Sequence, residues 1–331
     1  MTSWSHSSLA YVTPLVSFVV TWIVLTIVLR TLSGKILDHP NERSLHQRPV
    51  PRMGGIGVAV GIAASVPFVS QGEWWPLWLG ACFLVGISFL DDIIGLPIIG
   101  RLLVHCVVAA GAAAGLLLNQ VGVGWVLLAV VAIVWMTNLY NFMDGMDGLA
   151  GGMAIFGFGS LAITAWLGGH GSVAFVNASI AAAAGAFLWF NFHPARIFLG
   201  DAGSTAFGFL AAGLSLIGWQ EGIWSLWFPM LVFSPFIVDA TVTLLKRAFL
   251  GEPFWRPHRT HFYQRLVLSG WGHRKTVLAE YGLMLVCGLL AWAWQMADGH
   301  VRFTVLGFWA LLMVLGMLGV HAAERTAARL K

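Results

Sequence analysis

"NLYNFMDGMDGLAGG", residues 138–152, directly follows an apolar run long enough to cross a bilayer. Two aspartates, two asparagines and four glycines stand where hydrocarbon is expected on both sides. The stretch therefore marks an edge of a membrane region, and apolar blocks of the same kind recur along the whole chain. Of 331 residues, 58% are hydrophobic and 10% charged, whereas ordinary soluble domains carry roughly 25% charged residues. This composition excludes a water-facing globular surface and predicts a polytopic helical membrane protein.

Apolar runs of about 17–25 residues read as spans. Eleven are found, near 11–31, 54–70, 74–90, 101–118, 123–140, 151–167, 172–190, 203–218, 224–246, 276–296 and 302–321. The expected fold class is all-α, one transmembrane unit over residues 1–331 with about 11 helices. The loops on one side fall near 32–53, 91–100, 138–150, 191–203 and 247–275. The first span reads as a retained helix rather than a signal peptide, because Met1 to Pro14 holds no Lys or Arg and Arg30 and Lys35 follow the apolar run. Cys82, Cys106 and Cys287 all lie in apolar blocks without metal-ligand spacing and read as small apolar fillers.

Those five loops with the helix ends beside them (Arg30, Arg101, Lys246) and the chain end hold seventeen of the eighteen Lys and Arg residues, and the opposite side holds only Arg302. The positive-inside rule makes the rich side cytoplasmic, with the N-terminus periplasmic and the C-terminus cytoplasmic. The net charge of +4 is explained by this segregation, with no need of a nucleic acid partner.

Five carboxylates gather on the same side, in "SFLDDIIGLP" (88–97), the opening stretch and "FLGDAGST" (198–205). Scattered helix caps are the plain reading of any one of them. As a group they suggest more. Asp91 and Asp92 are adjacent at the end of a span, where two carboxylates raise each other's pKa and a divalent cation relieves the repulsion. Asp144 and Asp147 are three apart and share a face if a helix begins there. Asp201 precedes an apolar helix whose first N–H groups can face an anion. Hard oxygen donors beside phosphate suit Mg²⁺.

Two basic loops frame these acids. "LDHPNERSLHQRPVPRMGG" (37–55) carries Arg43, Arg48, Arg52, His39 and His46. "FWRPHRTHFYQRLVLSGWGHRK" (254–275) carries Arg256, His258, Arg259, His261, Arg265, His273, Arg274 and Lys275. The topology rule asks for Lys and Arg but not for histidine, and arginine forks recognise phosphate in a bidentate way. Zinc at His258 and His261 lacks a third ligand of matching type nearby.

The order Asp91-Asp92, "NLYNFMDGMDGLAGG", "FNFHPARIFLGDAGS" (190–204) and a late histidine-rich loop resembles the polyprenyl-phosphate N-acetylhexosamine-1-phosphate transferases, as does "HPNERSLHQRPVPRMGGIG" (39–57). The resemblance runs from about residue 38 to 275. It implies transfer of a sugar 1-phosphate from a UDP-N-acetylhexosamine to undecaprenyl phosphate in the bacterial inner membrane. UMP is released, Mg²⁺ is required and Mn²⁺ can substitute. It also implies roles for residues. Asp201 matches the metal-binding aspartate, and Asp91 and Asp92 the catalytic acidic pair beside it, one of which joins Asp201 on the metal. Asn138, Asn141, Asp144 and Asp147 match the nucleotide-side motif, with Asn191 and Phe198 holding uridine. His258 and His261 match the diphosphate region; Arg43, Arg52 and Arg259 contribute to substrate binding. The bilayer is a partner and a homodimer is allowed. "RPHRTHFYQRL" (256–266) departs from the three-histidine run of the muramoyl-pentapeptide branch and looks more like the branch that starts O-antigen or other surface polysaccharides.

The simplest chemistry is attack by a lipid phosphate oxygen on the β-phosphorus, with Arg259 and His258 neutralising charge. A phosphate monoester has a second pKa near ~6, so the acceptor is already largely dianionic and needs no general base. A transporter is the rival class, since intramembrane acids mark ion pathways. It calls for ionisable groups through the midplane, and only Asp239 lies clearly inside a span.

Overall fold

A chain in hydrocarbon must pair every backbone N–H and C=O within itself, and the apolar runs do so as α-helices. The computed structural model describes residues 8–32, 34–40, 44–69, 72–253 and 258–329. Its helices are α1 (Thr13–Thr31), α2 (Gly54–Ser65), α3 (Trp75–Ile94), α4 (Ile98–Leu117), α5 (Val123–Met143), α6 (Leu149–Leu167) and α7 (Gly171–Asn191). They continue as α8 (Gly200–Gln220), α9 (Trp227–Val232), α10 (Ser234–Phe249), α11 (Phe262–Leu266), α12 (Gly272–Met296) and α13 (His300–Arg329). In the first loop β1 (Leu37–Asp38) pairs antiparallel with β2 (Val50–Pro51).

Among the described residues, nine helical stretches are long and apolar enough to cross a membrane. Two of the expected spans take other forms. The run expected at 54–70 is α-helical only to Ser65 and tightens to a 3₁₀ turn around Pro67, giving a short apolar helix. The run expected at 224–246 breaks at Phe233 into α9 and α10, because Pro235 in the first turn of α10 has no N–H for a continuous ladder. The loop expected at 91–100 is also shorter. Helix α3 runs to Ile94 and Gly95 reverses the chain at φ 67°, so Asp91 and Asp92 stand in the last turn of a helix.

Helix α8 organises the rest. The apolar window of α8 is 94% buried, against 17% for that of α13, which makes α8 a core helix enclosed on every side. It packs against α2, α3, α5 and α6. Small residues let the neighbours approach at backbone distance: Gly203 meets Gly55 of α2, and Gly208 faces the backbone of α5. The loop before α8 is tied to the first loop by backbone bonds. Phe198 N–H donates to Pro51 O (2.7 Å), and Gly54 and Gly55 N–H donate to Phe198 O and Leu199 O (2.8 and 2.7 Å).

A Cβ at Gly208 would stand 2.5 Å from Met136 O and 2.8 Å from Thr137 Cα. Gly208→Leu is therefore expected to push α5 off α8 at a cost of at least about 1–3 kcal/mol. The readout is a lower unfolding temperature and loss of the monodisperse peak in detergent. An unchanged melt would show that the two helices do not meet there.

Candidate active site

Helices α3, α4, α5, α8 and α10, with the loops at their shared end, enclose a cavity of about 1100 Å³. Its polar wall presents Asp91, Asn138, Asn141, Asp144, Asp147 and Asp201. Its apolar wall presents Ile98, Leu102, Val131, Trp135 and Leu245 from α4, α5 and α10.

The adjacent acids of α3 part company, as they must when successive helix residues are about 100° apart. Asp92 turns under α8, accepts Asp201 N–H (3.1 Å) and Ala202 N–H (3.3 Å), and pairs with the Arg52 guanidinium. Its side chain is 1% exposed, so it caps the positive end of α8 rather than facing the cavity. Asp91 does line the cavity, accepting Leu96 N–H (2.5 Å) and Arg101 Nη1 (2.7 Å). The same Arg101 nitrogen lies 3.0 Å from Asp201 Oδ2, while Asn141 Nδ2 donates to Asp201 Oδ1 (3.0 Å) and to Ser204 Oγ (2.9 Å). Arg52 reaches further, to 3.7 Å from Asp201 and 3.9 Å from Asp38.

Asp144 and Asp147 do not share a helix face, contrary to expectation. Helix α6 begins only at Leu149, after Gly148 adopts φ 78°, so the two aspartates lie in a turn and point apart. Asp144 lines the cavity and makes no ion pair among the described residues. Burial, followed by the negative charges of Asp201 and Asp92, holds its carboxyl well above the usual carboxylate range. Asp147 takes His193 Nδ1 (2.7 Å) and Ala195 N–H (3.1 Å) on Oδ2, and has His273 Nδ1 3.4 Å from Oδ1. Burial alone would raise its pKa; the bonds from His273, His193 and Ala195 outweigh it and hold the carboxyl low. These three side chains offer ligand atoms within 4.8 Å of one another. The two imidazoles, however, stack at 5.0 Å with planes 25° apart, and each Nδ1 faces its own carboxylate oxygen. With both Nδ1 atoms turned to Asp147, the group ties three segments together.

The remaining expected residues divide. Phe198 lines the cavity, its ring edge-on to His46 at 4.9 Å. Asn191 also lines it, but its amide is consumed in bracing the loop, accepting Gly148 N–H and donating to Ile197 O (2.9 Å each). Asn138 lines the cavity and donates back to Val134 O (2.7 Å). His258 and His261 reach the cavity with rings 4.9 Å apart. Burial, then the neighbouring His261 and Arg247, push His258 down to about 4. Arg259 is exposed and stands apart from the cavity lining. Arg43 lies outside the described residues.

The donor set suits a hard divalent cation. Carboxylates of Asp91, Asp144 and Asp201 face one cavity, and the Arg101 guanidinium already serves as counter-charge between two of them.

Residues 74–219 match the profile of Glycosyl transferase family 4. The probable undecaprenyl-phosphate N-acetylglucosaminyl 1-phosphate transferase of Bacillus subtilis is 31% identical over 288 residues, covering 80% of each chain. The phospho-N-acetylmuramoyl-pentapeptide-transferase of Halalkalibacterium halodurans is 30% identical over 323 residues, covering 84% of this chain and 95% of its own. The undecaprenyl-phosphate alpha-N-acetylglucosaminyl 1-phosphate transferase of Yersinia pestis is 28% identical over 305 residues, covering 84% and 80%. The chain belongs to glycosyl transferase family 4, the polyprenyl-phosphate N-acetylhexosamine-1-phosphate transferases.

In this family 4 chain the site also draws on residues that the sequence did not single out. Arg101 bridges Asp91 and Asp201, and His193 and His273 hold Asp147. Arg101 and His273 were visible only as members of charged loops, and nothing local marks which acid each one meets.

Removing one partner of a buried ion pair costs about 3–5 kcal/mol. Arg52→Met should therefore lower the unfolding temperature strongly, because it strands Asp92 beneath α8. Gly200 sits at φ 74°, with room for no Cβ between Asp92 Oδ2 (2.8 Å) and Arg52 O (2.9 Å). Gly200→Ala should reproduce the loss with the charges intact. Thermal melts of both variants in detergent test the arrangement; wild-type stability in either would refute it.

Proposed function

We propose that the chain transfers an N-acetylhexosamine 1-phosphate from a UDP-sugar to undecaprenyl phosphate, releasing UMP and leaving a lipid-linked diphospho-sugar. The observation that carries this reading is the two-sided cavity: charged and amide groups on one wall, and aliphatic and aromatic side chains from α4, α5 and α10 on the other. A soluble nucleotide sugar and a polyprenyl chain need such different walls in one place. The printed names of the Bacillus subtilis and Yersinia pestis relatives support undecaprenyl phosphate as acceptor and N-acetylglucosamine as the first sugar to test.

In the reaction, a phosphate oxygen of the lipid forms a bond to the β-phosphorus as the bond to the bridging oxygen breaks, and UMP leaves with that oxygen. Catalysis of this kind is mainly positioning and charge stabilisation. Arg101 and Arg52 bring positive charge to the Asp201 end of the cavity. Asn141 orients Asp201, and Phe198 offers a ring face to the uracil. Asp147, braced by the two histidines, holds the nucleotide side in register. Mg²⁺ held by Asp201, Asp144 and Asp91 would supply charge neutralisation of the diphosphate and the leaving phosphate. The dianionic acceptor needs no proton removed.

The segregation of Lys and Arg supports a cytoplasmic site in a bacterial inner membrane. On this reading the short Gly54–Phe68 helix and the broken 227–249 segment are crossings too, which with the nine long stretches gives eleven and a periplasmic N-terminus. The form of the last loop supports a role in starting O-antigen or another surface polysaccharide rather than peptidoglycan.

Purified full-length chain with undecaprenyl phosphate, Mg²⁺ and a panel of UDP-N-acetylhexosamines is expected to release UMP and form glycolipid, and chelation of the metal should abolish both. Asp201→Asn should lower kcat by about 10²–10³-fold, the scale of losing one preorganised electrostatic group, with the fold intact. A folded, Mg²⁺-supplied wild type that makes no lipid product from any of these sugars would sink the assignment.

A further inference from the structure

Asp239 lies inside an expected span, and the transfer chemistry above leaves it without a task. It lies on α10, whose Thr241, Leu244 and Leu245 line the cavity, yet its own carboxylate turns toward the start of α11. There it collects four donors. Oδ1 accepts Phe262 N–H (3.0 Å), Thr243 Oγ1–H (3.1 Å) and His261 Nδ1 (3.1 Å); Oδ2 accepts Tyr263 N–H (3.1 Å). With two backbone N–H groups and a hydroxyl aimed at it, this carboxylate acts as an acceptor, so the ring nitrogen facing it is the donor.

His261 has little freedom left. It is 3% exposed, its backbone N–H donates to Gln264 Oε1 (3.3 Å), and its ring lies between Tyr263 (5.9 Å, planes 18° apart) and His258 (4.9 Å, 32°). Tyr263 is itself pinned, its hydroxyl donating to Phe142 O (3.2 Å) beside the Asp144 turn. The His261 ring lines the cavity; Asp239 faces its Nδ1 and the Gln264 backbone meets the same side chain in a capping box, which leaves Nε2 as the ring's other nitrogen.

We propose that Asp239 is a positioning residue for the transfer reaction: it fixes His261 with Nδ1 protonated and presents Nε2 to the diphosphate in the cavity. The choice of diphosphate as the group met rests on the transferase reading; the tautomer does not. The second nitrogen of a histidine sets what the first can do, and a ring held by a buried carboxylate loses no orientation when substrate arrives.

Two measurements on the full-length chain test this. In wild-type protein with ¹⁵N-labelled histidine, the His261 signal, assigned by its loss in His261→Gln, should show a protonated Nδ1. A bare Nδ1 would overturn the proposal, whatever reaction the chain performs. In the transfer assay, Asp239→Asn should lower kcat at least about tenfold, with KM for the UDP-sugar changed less than about threefold. Adding Asp239→Asn to His261→Gln should then change kcat by less than about twofold, because both act through one ring. If the double variant falls as far below His261→Gln as Asp239→Asn falls below wild type, Asp239 serves only the fold and the proposal fails. Should Asp239→Asn not fold, the tautomer measurement on wild type still decides. An inactive wild type with the expected tautomer would count against the transferase reading alone.

Discussion

The carboxylate of Asp92 binds three separate parts of the chain into one geometry. It lies in the last turn of α3, takes the first two N–H groups available at α8, and is neutralised by Arg52 from the first loop. A charge this deeply buried is tolerable only when it is fully paired. None of the three segments can move without uncovering it. Gly200 is part of the same requirement, because its left-handed backbone lets the chain turn into α8 against the carboxylate without a Cβ in the way. Asp201 follows directly, so its position in the cavity is set by the bonds that its own N–H and that of Ala202 make to Asp92 underneath.

That rigidity matters because the cavity joins two solvents. Its apolar wall belongs to helices whose outer faces are suited to lipid, and its polar wall to the turns where those helices end. A carboxylate cluster placed here has fewer water molecules to screen it than one on a soluble surface, so each cation that enters is held more strongly. Arg52 and Arg101 offset two of the three charges of Asp92, Asp91 and Asp201, and Asp144 responds to the same crowding with a raised pKa. The arrangement favours a ligand that brings its own cation and its own phosphates.

Much of the fold could be read from hydropathy, because a helix crossing hydrocarbon needs a run of fixed length and most runs here end in glycine, charge or asparagine. The departures occur at prolines: Pro67 shortens one run and Pro235 divides another. The site was legible as a set of stretches but not as a set of contacts. Asp91 and Asp92 look like a pair in sequence, yet helical rotation sends one to the cavity and the other under α8. Asp144 and Asp147 look like one helical face, but Gly148 delays the helix and they separate. Asn191 looks like a ligand and acts as a brace. Arg101 was counted as topological charge and His273 only as one member of a basic loop, since only the folded chain brings them to acids far away in sequence.

Seen by their acceptor bonds, the acids of this chain follow one rule. Asp92 caps α8 and Asp239 caps α11, each taking two backbone N–H groups and one nitrogen of a basic side chain. Asp147 takes one backbone N–H and the His193 imidazole, with His273 3.4 Å away as an ion-pair partner. These three are buried and spent on holding elements in place. Asp91, Asp144 and Asp201, by contrast, meet over the cavity. The anchors stand beneath α8, beneath α11 and beside the loop before α8, so they surround these acids from different sides. A site that must stabilise a transient distribution of charge gains from donors and acceptors fixed in advance. Here the fixing is done by carboxylates of the same kind as those that face the ligand, and only the three-dimensional arrangement tells the two groups apart.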